Sequence, residues 1–301
     1  MDRARMDWMD TLRGAAVLAV VVLHVQLTTS AVTGDPLLPL ARLDEQLAGV
    51  RMPLLMLLSG VLLPRSLAKG LRRHVSGKVR AILWPYAVWT AIDLGHLFAD
   101  AVVAGRPVPW RLVGEAIYDP TGYLWFLAWL FVFHLAAGLL TERARTIAAV
   151  GGLVLAHVVH PASPELARLV WLLPWFLAGD ALARTVPAAL PPGAGAAANR
   201  LGIAPLAAVG RSSIVYYVSH LPVVVYAVPL LWSGLGVHAP WLVSVLALGA
   251  SLAISATLAR VQRAPYWRWL FAWPERAARR SVMEPTVGKG CFPVLRDALS
   301  H

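Results

Sequence analysis

Apolar residues run along this chain in long blocks separated by short polar stretches. Neither the alternation of a half-buried strand nor the one-sided stripe of a soluble helix describes them. A membrane-crossing helix needs ~20 mostly apolar residues. Eight blocks approach that length: 12–31, 48–64, 81–100, 122–140, 146–161, 168–186, 212–232 and 239–259. The pattern predicts an all-α integral membrane protein, a polytopic helical bundle of about eight spans. The Pro/Gly/Ala-rich run PAALPPGAGAAANRLGIAP (187–205) interrupts it, as turn-forming residues do. The chain therefore divides into a six-span part (1–186), a linker (187–211), a two-span part (212–259) and a basic tail (260–301). The tail opens on Tyr266, Trp267, Arg268 and Trp269, a mixture suited to lying on the inner leaflet.

Composition agrees and narrows the class. The 301 residues are 58% hydrophobic and 14% charged, against ~45–50% and ~25% in soluble domains. An ordinary cytosolic enzyme, a disordered chain and a disulfide scaffold are excluded. Cys291 is the single cysteine, so there is no internal disulfide and no cysteine-rich metal site. It has no local His partner and is not read as a nucleophile. The N-terminal charges mix signs and the first apolar run is too long for a signal peptide.

The formal charge of +11 takes its meaning from topology. Of the 27 Lys and Arg, all but Arg42, Arg51, Arg106, Arg111 and Arg168 fall in alternate segments, 1–13, 65–80, 143–145, 184–211 and 260–296. Basic residues gather on the cytoplasmic side, so both termini are expected inside, in the cell (inner or plasma) membrane. This asymmetry accounts for the basic character without nucleic acid as a partner.

Ionisable groups inside spans are costly and are candidates for function. Arg13 and His24 are eleven residues apart in the first span, about three turns, so they share a face ~16 Å apart along the axis. At that depth a histidine is either a general base near neutral pH or a structural group bonded to a neighbouring helix. The second span carries Arg51, Ser59 and Gly60. Ser and Gly permit close helix approach, and Arg51 either snorkels to headgroups or holds an acceptor's oxygen atoms. The connection 65–80, with Lys78 and Arg80 among its cations, anchors topology and touches anionic lipid, or also grips phosphates. Asp93 and His96 share a face of the third span, as a relay or a self-satisfied pair. Ser213, Tyr216 and His220 share a face of the seventh. His134, His157 and His160 receive no role, and no residue set stands at metal spacing.

Six stretches together resemble membrane-bound acyltransferase family 3. They are Asp10, Leu12, Arg13, Gly14 with His24; Pro53, Leu54, Ser59, Gly60; and Lys78, Arg80 leading into Pro85, Tyr86. Leu124 to Leu127, WLLPWFLAGD, and Ser212, Tyr216, His220, Pro222 complete the set. Two features depart from the family. Its members usually carry about ten ~20-residue spans, and the tighter Arg-x-x-Arg pair before the proline is here Lys78 and Arg80. The resemblance implies acyl transfer from cytosolic acyl-CoA, expected to be acetyl-CoA, to a hydroxyl of a glycan, lipid-linked sugar or small metabolite. It implies His24 as catalytic base with Arg13 shaping the site, and Lys78 and Arg80 near the coenzyme. The expected mechanism adds a tunnel from the basic face to His24, with Arg51, Ser59, Tyr216 and His220 contacting substrate and Asp10 or Asp93 orienting. A non-catalytic transporter or flippase is the rival, although two related halves with interrupted helices are not visible in the sequence.

Overall fold

The computed structural model describes residues 7–120, 122–159, 161, 163–189, 202–264 and 266–273. His160, Cys291, most of the expected linker and the tail beyond 273 lie outside them. Among the described residues there are helices and no strand. The elements are α1 (Asp7–Thr33), α2 (Leu38–Gly60), α3 (Leu63–Leu67), α4 (Leu71–Lys78), a π-helical turn (Val79–Leu83) and α5 (Trp84–Val103). Then come α6 (Arg111–Tyr118), α7 (Trp125–Leu139), α8 (Glu142–Val158) and α9 (Pro164–Ala189). The last are α10 (Ala204–Arg211), α11 (Ser213–Pro229), α12 (Pro240–Val261) and a 3-10 turn at Arg268–Leu270.

Five helical stretches are long and apolar enough to cross a membrane: Asp7–Thr33, Leu38–Leu67, Glu165–Val186, Ser213–Gly234 and Pro240–Val261. The other three expected spans coincide with helices of another character. Apolar α7 is shorter, α5 carries Asp93 and Asp100, and α8 has 17 residues.

Where helix ends differ from the expected ones, charge is the reason. The second helix starts at Leu38, ten residues before the expected 48, because its first turns carry Arg42, Asp44 and Glu45. Asp44 is not left alone there: it pairs with Arg51 two turns on. The fifth expected span, 146–161, is helical from Glu142. Thr141 caps it by accepting from the Ala144 N–H at 3.3 Å, and Glu142 in the first turn suits the helix dipole. Arg145, read from sequence as a loop residue, is buried there. Its Nε donates to Asp180 Oδ2 at 2.8 Å, and Arg184 reaches the same oxygen at 2.8 Å.

Two glycine contacts set the packing. A Cβ on Gly14 would lie 2.0 Å from the Leu206 carbonyl oxygen, and one on Gly210 would lie 1.8 Å from that of Asp10. Helices α1 and α10 thus meet backbone to backbone. A Cβ on Gly60 would stand 1.9 Å from the Phe176 oxygen, and one on Gly179 would stand 2.1 Å from that of Leu57, so α2 and α9 are joined the same way. Small residues allow this approach where apolar surroundings give helices no hydrophobic reason to associate. Residues 204–211, expected as linker, therefore form a packed helix. Besides α10, helix α1 touches α2, α11 and α12, which makes it the axis of the fold.

The start of the tail is tied to α5 through its backbone, while the Tyr266, Trp267 and Trp269 rings remain exposed. Trp84 Nε1 donates to the Trp269 carbonyl at 2.7 Å and Trp89 Nε1 to that of Leu270 at 3.0 Å. Phe271 is buried. Residues 266–273 fold back as a strap across the start of α5.

Candidate functional site

The Arg13 end of α1 opens into a cavity of about 500 Å³. Its lining is largely apolar, with side chains such as Val17, Leu55 and Phe126, and it includes Arg13, Lys78, Arg80, Arg211 and Arg268 but no Asp or Glu among the described residues. Such a lining favours anionic over cationic groups.

Each cation is held by a local feature. Arg13 lies 3.6 Å from Asp10 on its own helix, and its Nη2 donates to the Leu58 carbonyl at 3.4 Å, so Arg13 pairs with Asp10 and bridges α1 to α2. Lys78 ends α4, which His74 pins to α7. The Ser66 hydroxyl donates to His74 Nδ1 at 2.8 Å, and His74 Nε2–H donates to the His134 carbonyl at 3.1 Å. Burial, then the like charges of Lys69 and Arg13, push the Lys78 ammonium down to about 8. The strap brings Arg268, and the α10–α11 junction brings Arg211. Ser59 lines the same cavity while its hydroxyl donates to the Leu55 carbonyl at 2.7 Å.

His24 stands elsewhere on the same helix. The cavity lining reaches Val17, about two turns or ~10 Å short of it, and the interval holds buried Val20 and Val21. Among the described residues the lining of this cavity does not reach His24, so it does not form the expected open tunnel. His24 is half-buried, with Nδ1 2.9 Å from the Val20 carbonyl and 3.2 Å from Nε2 of His220. His220 is fully buried, and its Nδ1 lies 2.7 Å from the Tyr217 carbonyl and 3.2 Å from that of Tyr216. Tyr217 stands between the two regions: it lines the cavity, and its ring centroid is 5.9 Å from that of His220.

The remaining expected residues are distributed as follows. Arg51, paired with Asp44, lies within electrostatic reach of His24. Tyr216 contributes its carbonyl to His220, and its neighbour Tyr217 is the tyrosine that lines the cavity. Asp93 lines a separate space of about 110 Å³ with Tyr86, Glu115 and Tyr123. His96 instead bonds the Tyr226 hydroxyl at 2.6 Å. Among the described residues the two rings hydrogen-bond to each other and to backbone carbonyls, and Asp93 is not among their partners. No group of three His, Cys, Asp or Glu able to hold a metal occurs among the described residues.

Sequence reasoning passed over His134, Arg211 and Arg268. His134 sits in the apolar run of α7 yet lines the cavity, and its Nδ1 has no hydrogen-bond partner among the described residues. A titratable residue in the middle of WFLAWLFVFHLAAGL was the available signal.

The known proteins bear on this geometry. A family model described as an acyltransferase domain matches residues 6–184, more than half of the chain, including Arg13, His24, Lys78 and the Gly60–Gly179 contact. No curated protein and no solved structure matches the chain. Five apolar helices together with this family describe a multi-pass membrane protein with an acyltransferase-type function. The chain belongs to acyltransferase family 3.

Proposed function

We propose that this protein transfers an acyl group, acetyl as the leading case, from cytosolic acyl-CoA to an acceptor hydroxyl of a glycan, lipid-linked sugar or small metabolite, with His24 as general base. The observation that carries the reading is the electropositive cavity around Arg13, on the same helix and helix face as His24. The phosphates of the coenzyme meet Arg13, Lys78, Arg80, Arg211 and Arg268, and the pantetheine arm follows α1 past Val17. Arrival of the thioester at His24 requires the intervening side chains, Tyr217 among them, to move aside.

The chemistry then balances simply. The acceptor O–H proton passes to His24 Nε2 as the oxygen bonds to the thioester carbonyl carbon. The tetrahedral intermediate collapses, the C–S bond breaks, and the departing sulfur takes the proton back to give free coenzyme A and an ester. General-base assistance of this kind contributes ~10²–10⁴-fold. We expect His24→Ala and His24→Gln to lose at least about 10²-fold of acetyl transfer from radiolabelled acetyl-CoA into membranes, at normal folded level. Full activity in either folded variant would remove His24 from the chemistry.

A second reading moves the base to His134, because that histidine lines the cavity and has an Nδ1 unpartnered among the described residues. His134→Gln in the same assay separates the two: loss there with activity retained in the His24 variants selects His134. A transporter or flippase would consume no acyl-CoA, so release of coenzyme A by purified protein distinguishes the enzyme from that rival.

A further inference from the structure

We infer that His220 is a positioning residue that, as a second acceptor beside the Val20 carbonyl, holds the Nδ1–H of His24 and the orientation of its ring, so that an uncharged imidazole pair presents a lone pair at His24 Nε2. The inference rests on the reading of His24 as the base, and it follows from which atoms can donate. A backbone carbonyl only accepts hydrogen bonds. His220 Nδ1 faces two carbonyls, those of Tyr217 at 2.7 Å and Tyr216 at 3.2 Å, so it must carry the hydrogen. In the neutral ring its Nε2 is then a lone pair. That atom lies 3.2 Å from His24 Nδ1, which also faces the Val20 carbonyl at 2.9 Å.

Two acceptors therefore converge on His24 Nδ1, and the hydrogen of the neutral His24 ring must sit there. Nε2 of His24 is left unprotonated, as a base requires. The opposite tautomer would set the Nδ1 lone pair against both acceptors at once. When His24 takes a proton at Nε2, the cation keeps its Nδ1–H shared between a carbonyl and the His220 lone pair, which stabilises it more than the neutral ring.

The choice of a histidine as orienter has a physical reason. A carboxylate in this place would be an ion sunk among apolar helices, and an unpaired buried ion is expensive. His220 is fully buried, and the side chains packed round it are uncharged. Tyr123 and Tyr217 approach with ring centroids at 5.8 and 5.9 Å, and the Ser251 hydroxyl from α12 donates to the His220 carbonyl at 3.5 Å. The arrangement orients a base without adding a charge. Its partners come from separate helices, α1 and α11, so the pair exists only when they are packed.

The test uses full-length protein in nanodiscs with ¹⁵N-labelled histidine. His24 side-chain signals are assigned by their disappearance in His24→Gln. Wild type should show His24 protonated at Nδ1 and bare at Nε2. His220→Leu removes one of the two acceptors; the Val20 carbonyl keeps the hydrogen on Nδ1, and the His24 Nδ1–H proton signal should move upfield as its shared hydrogen bond is lost. His220→Gln, whose Oε1 replaces the lone pair, should restore the wild-type position. In the membrane assay His220→Leu should lower the saturating rate of acetyl transfer about tenfold, with the acetyl-CoA KM unchanged and His220→Gln recovering most of the loss. The inference is overturned by an Nε2–H His24 in wild type, by an unshifted His24 Nδ1–H signal in folded His220→Leu, or by failure of folded His220→Gln to recover either the signal or the rate. Full activity of His24→Ala would sink the base reading instead, an outcome separable because the tautomer measurement needs no acceptor.

Discussion

At the residue scale the notable group is Lys78. Its ammonium is pushed down to about 8 by burial and by neighbouring cations, so it loses its charge just above neutrality. An anionic head in the cavity binds the protonated form, since charge-assisted contacts to phosphate are the strong ones. Acyl-CoA affinity should therefore weaken as pH rises through about 8. We expect the apparent acetyl-CoA KM to rise by up to about tenfold between neutral and mildly alkaline conditions. Lys78→Arg keeps its charge throughout and should flatten that profile, which a KM-versus-pH series on both proteins checks. A sequence scan finds Lys78 as one cation in a run of six. That it is half-buried while the other five are exposed depends on His74, which locks α4 against α7 through the His134 carbonyl.

At the element scale the glycines of the family-like motifs are packing devices. Gly14 and Gly210 sit against each other's helix backbone, as do Gly60 and Gly179. The obstructing atoms are main-chain carbonyls, which cannot rotate away as a side chain would. Gly14→Val and Gly60→Val should force the helices apart and cost at least the ~1–3 kcal/mol typical of overpacked cores. Thermal midpoints of detergent-solubilised protein should drop clearly for both, while Gly49→Ala, with open space around it, should change them little. Equal behaviour of all three variants would show that these contacts do not hold the bundle. The reading of Ser59–Gly60 as a packing pair was available from sequence, but its partner was not. Gly179 lies 119 positions away, and spacing alone does not pair distant helices.

On the scale of the whole molecule, the strap is the element that completes the cavity. It contributes Arg268, Phe271 and Trp273 to the lining and is tied to α5 by Trp84 and Trp89. Replacing Trp89 by Phe removes one donor, and replacing Phe271 by Ala empties its buried seat. The double variant should loosen the strap. Tryptic cleavage after Arg268 should accelerate, and the apparent acetyl-CoA KM should rise several-fold, about one lost hydrogen bond's worth, with a smaller change in the saturating rate. An unchanged KM despite faster cleavage would separate the strap from donor binding.

Hydropathy and charge along the chain determined the class of fold, because a lipid-exposed backbone must satisfy its own hydrogen bonds and long apolar blocks then have helices as their outcome. They also picked out Arg13 and His24, since helical geometry fixes which residues of one helix share a face. What the linear pattern could not convey is every relation between helices. Arg145 looked like a loop cation until Asp180 neutralised it, and 204–211 looked like a linker until Gly210 met Asp10. That the aromatic tail returns to α5 was not visible either: its carbonyls meet Trp84 and Trp89 across more than 180 positions. His24 met His220 across 196 positions. Each of these depends on distances between segments far apart in sequence, and only the packed bundle sets them.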